Sequence, residues 1–185
     1  MSGNYAALTR VLRFWFQEAG PKDWFAADPG FDQRTTAALG ELHAQAAAGA
    51  FTAWQEAPEG CLALCILLDQ APRNMFRGSP RAFASDAQAL AVARHAVDKG
   101  FDLGMAEDQR LFVYLPFEHA EDMDSQRRSV RLFAARTAKP DYLDYACLHL
   151  AIISRFGRFP HRNAVLGRKT TAEEQAFLAQ PGSGF

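Results

Sequence analysis

An all-α fold of about seven to eight antiparallel helices, stacked in pairs, is what this sequence predicts. Three observations carry the prediction. Apolar residues recur with a helical period through most of the chain, no alternating β-branched run occurs, and glycine or proline punctuates the segments at short intervals. A length of 185 residues fits one domain, residues 1–185, with a sizeable core.

The first helix is expected from about Tyr5 to Ala19, where Leu8, Val11, Leu12, Trp15 and Phe16 form one apolar stripe and Gly20-Pro21 ends it. The Trp24-Phe25 pair then packs in a loop. A second helix runs from about Phe31 to Ala48 and closes at Gly49. The third, Gly60 to Gln70, is apolar nearly all round and so belongs at the centre. It should stop before Ala71-Pro72, because the residue preceding proline avoids helical angles, which leaves Arg73 to Phe83 as a loop. Ser85 and Gln88 match a capping box that opens a fourth helix at Asp86, and Gly100-Phe101 reads as its ending. The fifth covers about Glu107 to Leu115, where Pro116 ends or kinks it. Glu121 or Asp122 starts a sixth, running to about Thr137. A seventh, from about Pro140 to Phe156, carries the stripe Tyr142, Tyr145, His149, Ile152 and Phe156 and closes at Gly157. Thr171 with Glu174 forms a capping box for a last short helix through Ala179.

Composition narrows the function. The hydrophobic fraction is 49% and the charged fraction 22%, which places the chain among folded globular proteins. A formal net charge of -1 argues against a general nucleic-acid binder. No run of about eighteen apolar residues exists to span a membrane, and Met1 to Arg10 lacks the pattern of an export signal. The cysteines Cys61, Cys65 and Cys147 are odd in number and show no disulfide framework, so reduced thiols and a cytoplasmic location are expected. Cys61 and Cys65 read as core packing rather than metal ligands. The histidines show no metal spacing, and no phosphate loop or nucleophile elbow is present; neither a metal nor a cofactor is expected.

Three segments place polar residues where a core would not want them. Asp69 ends a buried helix, where the dipole disfavours its charge, so it needs a partner such as Arg73 or Arg77. It either pins the following loop as an ion pair or orients an arginine towards a ligand. Glu118-His119 follows an apolar run directly; a histidine beside a carboxylate at the edge of a core serves as a proton carrier or as a loop-fixing cap. Arg155 to Asn163 surrounds two phenylalanines with arginines and His161. Arginine forks bind carboxylate and phosphate bidentately, and the rings exclude water from the pair. His149 reads as a satisfied core histidine.

Four strings carry a family resemblance: Leu12 to Phe16 (LRFWF), Leu67 to Gly78 (LLDQAPRNMFRG), Tyr114 to His119 (YLPFEH) and Arg155 to Asn163 (RFGRFPHRN). With Leu166-Gly-Arg168 and the capping sequence to Glu174, they resemble the bacterial family called domain of unknown function 924 over nearly the whole chain. The resemblance implies a tetratricopeptide-like bundle of antiparallel helices, and it implies no activity. Ala71 stands where that family usually has phenylalanine, and Ala120 where a serine follows the histidine, which counts against a serine-dependent mechanism here.

The polar segments each leave a core helix and are expected to converge on one pocket. The leading expectation is a site for a small anionic molecule, a phosphate or carboxylate metabolite, formed by Asp69, Arg73, Asn74, Arg77, Arg155, Arg158, Arg162 and Asn163. Unpaired arginines there would repel one another without a counter-anion. The alternative is a hydrolase or lyase at the same pocket, with His161 as base, His119 as its partner and Glu118 as a further acid–base group. A helical module that binds another protein is the third reading, and it would show an exposed apolar groove instead.

Overall fold

The computed structural model describes residues 2–183, with side chains from Tyr5 onward. Among these residues there are helices and no strands. The helices are α1 (Ser2–Arg13), α2 (Pro21–Trp24), α3 (Pro29–Ala47), α4 (Pro58–Cys65), α5 (Ala71–Met75), α6 (Asp86–Asp98), α7 (Glu107–Glu118), α8 (Met123–Arg136), α9 (Pro140–Phe156) and α10 (Ala172–Leu178). None of them is long and apolar enough to cross a membrane.

Helix α4 is the hub, as its lack of a wet face predicts: Gly60 through Gln70 are all buried. It packs on α1, α6 and α7. Gly60 is obligatory there, because a Cβ at this position would stand 1.9 Å from the Trp54 carbonyl oxygen. Cys61 and Cys65 lie in this core, whereas Cys147 is exposed on α9. An aromatic group ties α1, α2, α3 and α7 together. Trp15 meets Phe112 edge-on with centroids 5.5 Å apart, and Trp24 meets the same ring at 4.9 Å.

The main departure from the sequence reading lies at Pro72. The helix does not stop there. A π turn over Ile66–Gln70 connects α4 to α5, with the Ala71 N–H bonded to the Ile66 carbonyl. Proline lacks an N–H and crowds the carbonyl four residues back; the wider turn absorbs both problems. The carbonyls it releases find side chains instead. Leu67 O lies 2.8 Å from His43 Nδ1, Ser85 Oγ donates to Leu68 O at 2.6 Å, and Arg73 Nη1 donates to Asp69 O at 2.6 Å. Ser85 is therefore not an α6 capping box with Gln88, whose amide donates to Ala47 O. Arg73 lies on α5, and Pro80–Phe83 forms a 3-10 turn, so the expected loop is short. A second π turn, Phe14–Glu18, extends α1, and Trp24 Nε1 donates to the Trp15 carbonyl at 2.9 Å.

Three smaller differences are confined to single elements. Helix α7 continues through Pro116 to Glu118. Phe25, expected to pack, is 62% exposed while Trp24 is buried. The buried stripe of α9 is Ala146, His149, Ile152 and Ile153, with Tyr145 56% exposed. The ends at Gly49, Gly100 and Gly157 are left-handed as expected, and the Thr171–Glu174 capping box forms.

Candidate functional site

Two helix faces build the walls of a cavity of about 760 Å³. Helix α7 contributes Leu111, Leu115, Glu118 and His119 at helical spacing, and α9 contributes Tyr142, Tyr145 and His149. The two run side by side in the same direction. At their starts Tyr142 Oη donates to Asp108 Oδ1 at 2.7 Å; further along, His149 Nδ1 lies 3.1 Å from Glu118 Oε1. Trp24 and Phe25 close one side, Gln70, Arg73 and Asn74 come from the π turn and α5, and Arg77 from the turn that follows. Phe83, His161 and Arg162 complete the polar end.

Asp69 is fully buried and lies at the centre of that end. His119 Nδ1 approaches its two oxygens at 2.8 and 3.0 Å, Gln70 Nε2 donates at 2.5 Å, and Arg73 Nη1 stands 3.2 Å away. Burial pushes the Asp69 carboxyl up, but Arg73 and His119 outweigh it and hold the group well below the usual carboxylate range. A carboxylate can only accept, so Nδ1 of His119 carries the hydrogen and Nε2 is the basic nitrogen. Burial and the Arg73 charge lower the His119 pKa despite Asp69.

Arg73 also forks onto Asp86 at 2.9 and 3.0 Å. Arg162 shares that carboxylate at 3.4 Å and donates to the His119 carbonyl at 3.1 Å. Its guanidinium lies between Phe83 and Phe159, with ring centroids at 4.7 and 4.5 Å. Arg162 is 6% exposed and its Nε has no hydrogen-bond partner. Burial and Arg73 bring its pKa down to about 10.

Glu118 and His149 meet as neutral groups rather than as an ion pair. Burial, then the Asp69 charge, pushes Glu118 up to about 8, and burial with the nearby His119 brings His149 down to about 3. His149 Nδ1 also lies 2.8 Å from the Tyr145 carbonyl, which fixes the hydrogen on Nδ1. His149 thus packs in the core and lines the cavity as well.

The structure brings together Asp69, Arg73, Asn74, Arg77, Glu118, His119, His161 and Arg162. Asp69 stands behind His119, and the other seven line the cavity. Arg77 sits at the rim, forked onto Asp32 at 2.8 and 2.9 Å. Arg155, Arg158 and Asn163 are not among the lining residues. Arg155 pairs with Glu173 and Arg158 with Glu174, and buried Asn163 accepts from Arg168. The expected mutual repulsion of the arginines is met by carboxylates of this chain: Asp32, Asp69, Asp86 and Glu174. The sequence marks Asp86 only as a helix start, whereas the structure makes it the bridge between Arg73 and Arg162. An acid opening a helix just after an arginine-rich stretch was the available signal for its bridging role. Among the described residues, no group of three or more His, Cys, Asp or Glu is placed to hold a metal ion.

The sequence pattern of the family described as bacterial protein of unknown function (DUF924) matches residues 11–182. The chain belongs to this family. A solved structure described as a protein of unknown function, ATU0120 from Agrobacterium tumefaciens, is similar to this DUF924 chain at 41% identity and a TM-score of 0.90. The match covers 95% of this chain and 98% of that one. No curated protein matches. The architecture shared with that structure therefore comes without a stated activity, and the chemistry rests on the cavity.

Proposed function

We propose that this protein is an acid–base enzyme acting on a small anionic molecule in the cavity between α7 and α9. The observation that carries the reading is the Asp69–His119 pair on the cavity wall. A carboxylate on Nδ1 fixes the tautomer, leaves Nε2 to take a proton, and stabilises the imidazolium that forms. With its pKa lowered, His119 is neutral at pH 7 and suits a base. Glu118, protonated at neutral pH, is the complementary acid in the same cavity. Environments that drive two such groups apart divide the two roles between them. His161, expected as the base, lies beside Phe159, and burial with the Arg162 charge brings its pKa down to about 4, too low for an effective base at neutral pH. His119 takes the base role instead.

Arg162 supports an anionic substrate. It is buried and flanked by rings, its one carboxylate is long and shared, and its Nε is unmatched by protein. The described lining contains no Ser, Thr or Cys. Water activation or proton abstraction, giving hydrolysis or elimination, therefore fits better than an acyl-enzyme.

A screen of phosphate esters, carboxylate esters and substituted carboxylic acids tests the reading. With the substrate found, His119→Gln should lower kcat by roughly 100-fold or more, and Arg162→Gln should chiefly raise KM. Undiminished turnover in His119→Gln would remove the base from the scheme.

A further inference from the structure

We infer that the substrate is an amphiphile, with an anionic head at Arg162 and His119 and an apolar body lying along Leu111, Leu115 and Tyr145. The inference rests on the acid–base reading of the same cavity and adds the substrate class. Because α7 and α9 lie side by side, tied by Asp108–Tyr142 at one end and Glu118–His149 at the other, position along either helix is position along the cavity. Glu118 and His119 gather in the last turn of α7, while Lys139 and Asp141 line the cavity at its far end beside Tyr142. Leu115 and Leu111 come one and two turns earlier, so the wall from Leu111 to Glu118 extends for about 10 Å. Roughly eight carbons in zigzag cover that span.

The rings facing this part of the cavity are finished as apolar surfaces. Tyr142 Oη is bonded to Asp108, and Trp24 Nε1 to the Trp15 carbonyl. Phe25 and Tyr145 also line the cavity, although 62% and 56% of their surface faces water. A bare phosphate or a two-carbon acid would occupy only the polar end of a 760 Å³ space and leave these surfaces wet. A carboxylate or phosphate monoester carrying a medium chain or a flat ring system fills both ends.

The test is calorimetric titration of the full chain with butanoate, hexanoate and octanoate, each below its micelle concentration, and with octanol. Affinity should rise about two- to four-fold per added methylene up to roughly eight carbons. Octanol should bind at least about ten-fold more weakly than octanoate, because Arg162 has no charge to meet. Phe25→Ala and Tyr145→Ala, both at exposed positions that leave the core intact, should weaken octanoate several-fold and leave butanoate unchanged. Equal affinities for butanoate and octanoate, both lost in Arg162→Gln, would overturn the amphiphile and leave the acid–base reading standing. Octanol binding as tightly as octanoate would overturn the anionic head. Absence of binding by any of the acids would overturn the head and the anionic substrate of the acid–base reading together. Chain-length dependence intact beside undiminished turnover in His119→Gln would support the amphiphile and overturn the base alone.

Discussion

Two buried carboxyl groups, Glu118 and Asp69, respond to pH in opposite directions. Glu118 has its folded pKa raised from 4.5 to about 8, so the folded chain holds a proton there that the unfolded chain releases. Its contribution is fully present below about pH 4.5 and is lost as pH rises towards 8. Glu118→Gln keeps the neutral shape and removes the titration. Its melting temperature should match the wild type near pH 5 and exceed it at pH 9, and parallel curves across that range would place the titration elsewhere. Asp69 has its folded pKa lowered below 3.8, so its contribution is present above that value and fades as pH falls. Asp69→Ala strips His119 and Arg73 of a buried counter-charge and should cost roughly 3 kcal/mol. At about 2–4 °C per kcal/mol for a chain of this size, a melting temperature unchanged by the substitution would contradict the pairing.

Among the elements, the junction from α4 to α5 shows what periodicity conveys and what it omits. The apolar run Gly60 to Gln70 marked the central helix, and the glycine ends and the Thr171–Glu174 cap were legible because their signals are local. Pro72 was legible as a disturbance. Its outcome was not, because a π turn is sustained by donors to its freed carbonyls that arrive from His43 and Ser85, far along the chain. The same distance hid Ser85: a helix-opening serine looks alike whether its hydroxyl caps its own helix or serves another. Ser85→Ala should therefore cost about 1–3 kcal/mol by leaving the Leu68 carbonyl buried and unpaired. The double variant Ser85→Ala with Pro72→Ala should recover part of that loss, since residue 72 regains an N–H. Additive costs in chemical denaturation would argue against the shared carbonyl.

At the scale of the molecule, the arrangement of charge decides which arginine meets a ligand. Arg158 and Arg162 lie four residues apart in a single motif, and nothing local in the sequence separates them. The capping Glu174 of α10 takes Arg158, while Phe83 and Phe159 hold Arg162 at the cavity. The convergence of three polar segments was legible because each leaves a core helix; the choice among their arginines depended on tertiary partners. Phosphate, sulfate or a dicarboxylate should raise the melting temperature by preferential binding to the folded chain, by about 2.7 kcal/mol of added stability at a hundred times Kd. Arg162→Gln should abolish the gain, and Arg158→Ala should retain it. A gain lost equally in both variants would move the anion to the α10 surface.

The placement of the cysteines gives this protein a built-in clock for its own opening. Cys61 and Cys65 sit in the core helix α4, and burial pushes the first thiol up to about 11 and the second well above its ordinary value, so neither offers a thiolate while the fold is closed. Cys147 faces water on α9. A thiol reagent added to the native chain should consume one equivalent at once. The remaining two should react only when α4 is laid open, at a rate that reports how often the core opens. Substrate-like acids that close the cavity should slow those two reactions in proportion to their affinity while the first proceeds unchanged.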